Sequence, residues 1–224
     1  MRHELKKFII FRDILVKKTY EETLSSCIAE LIIKNSKRDS KVKVLDFGSG
    51  FDPSVLQLVR GKLSLENINL SSHGYDLYDE AQLNELNQQA NSYEKYFFSS
   101  DISKNNEHYD FVVISDVLHH LDIDKQDEIK KIITLLKSKS NYLIIKDHFQ
   151  YGFLSNQILR FMDFFGNFFN KTKTPKRYYK KKEFEDLIYE LKFQIKERIV
   201  NRKYHSKYFF FLSNTKYHFV YLIE

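Results

Sequence analysis

Between residues 42 and 148 short apolar runs alternate with amphipathic ones, and the apolar runs end on polar residues. Residues 42–47, 109–115 and 141–147 are dense in Val, Ile, Leu and aromatic side chains. Runs of this length and composition suit strands buried on both faces, as parallel strands between two helical layers are. Residues 125–136 carry Ile129, Ile132, Ile133 and Leu136 on one helical face. This alternation predicts an α/β protein with a largely parallel sheet. In such sheets ligands bind outside the carboxyl ends of the strands, where the strand order reverses.

The flanks read differently. Residues 3–36 have helical spacing in two stretches, and Thr19 with Glu22 suggests a capping box that would start a second helix. A polar connector at 37–41 then divides an N-terminal helical cap, residues 1–40, from the main domain, residues 41–224. After 148 come an aromatic amphipathic segment over 154–169, a basic stretch over 171–182 and a helix over 182–192. Two late strands, near 193–200 and 217–223, lack a helix between them and suggest an antiparallel edge. A single cysteine, Cys27, excludes a disulfide framework and fits a reducing compartment. It lies on an apolar helical face and reads as core. No apolar run reaches the roughly 18 residues of a membrane span, and the N-terminus does not read as a secretory signal. These readings place the protein in the cytoplasm. The net charge of +6 permits an anionic partner without requiring nucleic acid.

The chemistry concentrates in Val44-Leu45-Asp46-Phe47-Gly48-Ser49-Gly50. A strand running into this glycine turn lets the backbone bend sharply and approach a ligand closely. The third glycine of the dinucleotide fingerprint is missing, since Asp52-Pro53 follows Phe51, and this argues against a pyrophosphate ligand. An acid precedes the glycines instead, and Asp46 can hold a cationic or amine-bearing group. Asp76 closes a second strand thirty residues on, placed to accept from paired ribose hydroxyls.

These segments resemble the class I S-adenosylmethionine-dependent methyltransferases. Residues 44–50 are similar to the family's first motif, Gly74-Tyr75-Asp76-Leu77 to its second-strand end, and Ser100-Asp101-Ile102 to its third-strand motif, whose acid faces the adenine amine. Tyr109-Asp110-Phe111-Val112-Val113-Ile114-Ser115-Asp116-Val117-Leu118-His119-His120-Leu121 is similar to the fourth-strand motif. The resemblance implies a Rossmann-like methyltransferase fold, with a seven-stranded, mostly parallel sheet of order 3-2-1-4-5-7-6 and an antiparallel terminal hairpin. It implies S-adenosyl-L-methionine as cosubstrate, held by Asp46, Gly48, Ser49, Gly50, Asp76, Leu77, Asp101, Ile102, Ser115 and Asp116. Methyl transfer is an in-line displacement that needs positioning first, and a base only where the acceptor carries a proton.

His119, Asp147 and His148 end the fourth and fifth strands and are the candidate catalytic residues, with His120 beside them. Asp147 can orient a neighbouring histidine. Asp116 and His148 match no compact metal-ligand spacing, and no metal site is assigned. Residues 149–181 occupy the place of a substrate lid. Within it Phe153, Leu154, Ile158, Leu159, Phe161, Met162, Phe164 and Phe165 can wall a hydrophobic or aromatic acceptor, with Arg160 and Asp163 as polar contacts. From Lys171 to Lys182 there are seven basic residues and no acid, with Tyr178 and Tyr179 among them. That stretch suits an anionic substrate group, a phospholipid surface or RNA. Three function classes follow: a small-molecule or lipid-like methyltransferase, an RNA or DNA methyltransferase, and a non-catalytic cosubstrate-binding protein. The first is favoured. No Asn-Pro-Pro-Tyr-like tetrapeptide or Pro-Cys nucleophile marks a nucleic-acid enzyme, and the set of acids and glycines is intact.

Overall fold

The structure is a computed structural model. It describes residues 2–50, 53–77, 81–82, 84–85, 95–97, 102–166, 174–204 and 214–224, with side chains for these except 2–16, 95–97, 104, 165 and 166. Most of the expected 79–90 helix, Asp101 and part of the basic stretch therefore lie outside the described residues, while 81–82 and 84–85 are helical.

One mixed sheet organises the chain, in the order β3-β2-β1-β4-β5-β7-β6. Its parallel part comprises β1 (Lys41–Phe47), β2 (Asn69–Tyr75), β3 (Lys95–Phe97), β4 (Tyr109–Ser115) and β5 (Ser140–His148). β7 (His218–Ile223) runs antiparallel between β5 and β6 (Ile195–Val200). The apolar runs become strands because both faces are covered. Val44, Leu45, Val112, Ile114, Leu143 and Ile145 are fully buried. On one face the core joins Leu24, Ile28, Leu31 and Ile32 of α1 (Arg2–Asn35) to Leu56, Val59 and Leu63 of α2 (Ser54–Ser64). On the other, Ile129, Ile133 and Leu136 of α3 (Gln126–Ser138) pack with Phe184, Leu187 and Ile188 of α5 (Lys181–Glu190). α4 (Phe153–Gly166) follows β5 at its carboxyl end. β6 closes the edge and alternates, burying Ile195 and Ile199 while neighbouring side chains meet solvent. Among the described residues no helix is long and apolar enough to cross a membrane.

One expectation is corrected. Thr19 and Glu22 do not open a second helix; α1 is continuous through them. Capping residues act only where N–H groups lack helical partners, and here the apolar spacing of 24, 28, 31 and 32 continues the helix onto the sheet. Cys27 is core as expected, 2% exposed and accepting from the Tyr204 hydroxyl at 3.7 Å.

Candidate active site

The carboxyl ends of β1, β2, β4 and β5 meet at one edge of the sheet, where β1 has β2 on one side and β4 on the other. The glycine bend leaves β1 here. Gly48 has φ +83° and Gly50 φ +57°. A Cβ on Gly48 would overlap Val117 Cγ2, so that position excludes larger residues, whereas a Cβ on Gly50 would project into open space. The bend is tied to β2 by its own N–H groups. Gly48 N and Ser49 N donate to Tyr75 O at 2.7 and 3.1 Å, and Gly50 N donates to Asp76 Oδ2 at 2.7 Å. Asp76 Oδ1 also accepts from Leu77 N at 2.6 Å. A pyrophosphate site keeps such N–H groups for the ligand. This bend has spent them internally and presents carboxylates and bare glycine backbone instead. Asp46 is half-buried beside it, in register with Gly74 and Val113. Ile102 is buried against Leu45 and Tyr75 in the core, and the Leu77 side chain is exposed.

The β4 and β5 ends build a second, buried polar cluster. Asp116 follows β4 in the left-handed region, φ +55°, a conformation that aspartate tolerates better than most residues. Its carboxylate receives Lys146 Nζ at 2.5 Å and the Tyr20 hydroxyl. Lys146 is completely buried, and its ammonium lies 4.7 Å from the Tyr20 ring centre and 5.6 Å from that of Tyr204. Burial and the adjacent Asp116 charge push the Tyr20 phenol well up, so it remains a donor. Burial pushes Asp116 up, but Lys146, with His148 and His119 behind it, outweighs that and holds the carboxyl below its usual range.

The structure gives the paired candidates His119 and His148 different charges. His119 is 3% exposed. Its Nδ1 lies 2.6 Å from Asp147 Oδ1, its backbone N donates to Asp147 Oδ2 at 3.1 Å, and its Nε2 faces Asp163 Oδ1 of α4 at 3.5 Å. Burial lowers its pKa, but the charge and hydrogen bond of Asp147, helped by Asp163 and Asp116, push it up to about 10. His119 is therefore an imidazolium at neutral pH and has no free basic nitrogen. Asp147 is driven up by burial and held well below the carboxylate range by His119 and His148. Its Oδ1 also accepts from His148 N at 2.7 Å, so Asp147 orients His119 and the β5 terminus rather than the His148 ring. His148 is lowered, first by burial and then by Lys146, which leaves a neutral imidazole. Its Nδ1 is buried without hydrogen-bond geometry, 3.4 Å from Asp116 Oδ1. Its ring packs against His119, Tyr178 and His218.

Asp116, His119, Asp147 and His148 each bring a ligand atom within 4.8 Å of the others. Lys146 lies against Asp116 and His119 against Asp147, so the two carboxylates already have cationic or donor partners within the protein. Sequence reasoning missed Tyr20 and the role of Lys146. A lysine inside an otherwise apolar strand was the visible signal. Ser115 ends β4 immediately before Asp116, beside this cluster.

Two expectations about the lid change. Leu159 is buried, but Phe153, Leu154, Phe161 and Phe164 point outward instead of walling a pocket. The described basic residues are largely paired with acids from elsewhere: Arg177 with Asp124 and Glu183, Lys176 with Asp122, Lys182 with Asp186. Tyr178 and Tyr179 are 1% and 2% exposed and cannot stack on bases.

With this geometry in view, the comparisons define the class. A family model described as a methyltransferase domain matches residues 20–196, and the chain belongs to that family. An O-methyltransferase family protein from Burkholderia thailandensis aligns over 94% of this chain and 57% of its own, at 15% identity and a TM-score of 0.60. An O-methyltransferase family 2 protein from Planctomyces limnophilus, solved with apigenin, aligns over 86% of this chain and 52% of its own, at 16% identity and 0.55. A mycolic acid cyclopropane synthase complexed with SAH and CTAB aligns over 78% and 62%, at 13% identity and 0.50. At these identities the likeness is one of fold, and the chain spans little more than half the length of these structures. No curated protein sequence matches.

Proposed function

We propose that the chain binds S-adenosylmethionine at the glycine bend and transfers its methyl group to a small-molecule or lipid-like acceptor at the β4–β5 cluster. The observation that carries this reading is the bend whose Gly48, Ser49 and Gly50 N–H groups are internally bonded. It offers Asp46 and Asp76 with uncovered Gly50 backbone, a surface suited to a cationic, diol-bearing ligand and unsuited to a phosphate. When bound, the sulfonium supplies an electrophilic methyl for in-line displacement.

The chain's residues then divide the work. Asp76, already fixed by two backbone donors, accepts from the ribose hydroxyls. Asp46 faces the cationic end. Asp101 and Ile102 take the adenine side, as in the resembled family, and Ser49, Leu77, Ser115 and Asp116 complete the lining. His148 accepts the acceptor's proton. Residues 1–40 cap the site through Tyr20, and the inward side of the expected lid, with Leu159, Arg160 and Asp163, borders the acceptor. His119 and Asp147 position the β4 and β5 ends.

Calorimetry with the cosubstrate and with its demethylated product tests the reading, and micromolar binding of both is expected. No heat from either removes it. His148→Ala is expected to lower kcat roughly 100-fold or more with cosubstrate affinity unchanged. Because His148 is lowered, the wild-type rate is flat at neutral pH and falls only on acidification below the ordinary histidine range. Wild-type turnover in the variant would reduce His148 to packing.

A further inference from the structure

α4 carries its polarity in an unusual direction. Its charged residues are drawn in: Asp163 is 8% exposed at the side chain against His119 and His120, and Arg160 folds onto Pro175 O at 3.1 Å and Gln157 at 3.3 Å. Its apolar residues are turned out. Phe153 is 80% exposed and Leu154 72%, Phe161 and Phe164 about half, and Tyr151 just ahead 55%. At 100° per residue Phe153, Leu154, Phe161 and Phe164 fall within an arc of about 100°. Scattered exposed apolar residues are ordinary. A single arc of large ones on one helix is what an interfacial helix presents.

Positive charge lies alongside. The 174–180 segment runs against α4, with Tyr178 N donating to Asn156 Oδ1 at 3.0 Å and the Tyr178 hydroxyl to Leu159 O at 3.2 Å. It carries exposed Lys176 and Lys180 and leads into exposed Lys181 and Lys182. Among the described lysines of this segment, Lys180 and Lys181 are the ones best placed to meet an outside anion, since Lys176 and Lys182 also pair with acids. An apolar arc beside lysines, on a chain of net charge +6, complements an anionic lipid surface.

We propose that α4 and the adjoining lysines form a peripheral docking surface for an anionic phospholipid bilayer, with Phe153 and Leu154 entering the headgroup–acyl boundary. Docking stands apart from catalysis. The further step, that the acceptor is drawn from the bilayer past the Asp163–His119 contact, rests on the methyltransferase reading.

Flotation with vesicles of phosphatidylcholine alone, and of phosphatidylcholine mixed with phosphatidylglycerol, tests the surface. Binding to the mixed vesicles is expected, weakening as salt screens the lysines. Phe153→Ser with Leu154→Ser, and separately Lys180→Glu with Lys181→Glu, are each expected to lower partition roughly tenfold or more. These side chains are exposed, so Tm and the heat of cosubstrate binding stay at wild-type values in both variants. Loss of flotation alone thus reports on docking, and loss of cosubstrate heat in the parent protein reports on the function. No flotation with mixed vesicles overturns the proposal, as does equal partition of the variants. So does a concentration-dependent dimer abolished by the Phe153 and Leu154 changes, or binding of an RNA oligonucleotide without vesicle binding.

Discussion

Asp147→Ala lowers the midpoint of thermal unfolding by roughly 6–20 °C. The carboxylate is 1% exposed and serves three donors: His119 Nδ1, His119 N and His148 N. Removing one partner of a buried pair leaves the other charge without compensation, which costs about 3–5 kcal/mol. For a chain of this size each kcal/mol moves the midpoint about 2–4 °C. The pH dependence identifies the cause. The folded pKa of His119 is raised from its ordinary value of 6.5 to about 10, so the folded state holds more protons than the unfolded state across that window. Stability then falls as pH rises through it. The contribution is complete below the unfolded pKa and gone above the folded one. Asp147 is shifted down, so its share is present above the ordinary carboxylate pKa and is lost on strong acidification. In Asp147→Ala the His119 shift collapses, and the difference in stability between wild type and variant shrinks from pH 6.5 to 10. Urea denaturation of both proteins across that range measures it. A constant difference would assign the loss to packing, and no difference at all would remove the pair from the stability of the fold.

The sheet was legible because burial on both faces writes itself as uninterrupted apolar runs, and residues 42–47, 109–115 and 141–147 are such runs. The bend was legible through Gly48 and Gly50, since both take positive φ and Gly48 must also admit the close approach of Val117. Local patterns could not show contacts made over long separations. Tyr20 meets Asp116 across 96 residues, and no spacing rule links them. The Thr19–Glu22 pattern misled because a cap motif is local while the helix was continued by packing against α2 and the sheet core. The two histidines looked equivalent in sequence, both following strands. Burial lowers both; they diverge because Asp147 and Asp163 outweigh it at His119 while Lys146 adds to it at His148. The outward turn of Phe153 and Leu154 was equally hidden, since an amphipathic period does not say which side carries the core.

Asp76→Ala raises the dissociation constant for S-adenosylmethionine on the order of 10–150-fold. Hydrogen bonds to a charged group contribute about 1.5–3 kcal/mol, and each 1.4 kcal/mol is about tenfold in affinity. Two routes lead to this loss. The carboxylate holds Gly50 N at 2.7 Å and Leu77 N at 2.6 Å, so its removal frees the bend. In the proposed complex it also accepts from the ribose diol. A cosubstrate analogue lacking the 2′-hydroxyl separates the routes by calorimetry. If Asp76 receives that hydroxyl, wild type loses affinity on its removal and Asp76→Ala loses little more, because the two changes delete one interaction. Asp76→Asn falls between, keeping an acceptor for Gly50 N but not a charge for the diol. Equal losses for the analogue in wild type and Asp76→Ala would confine Asp76 to supporting the bend, and the ribose would have to be held elsewhere on the edge. Undiminished binding by Asp76→Ala would take the cosubstrate away from the β1–β2 bend altogether.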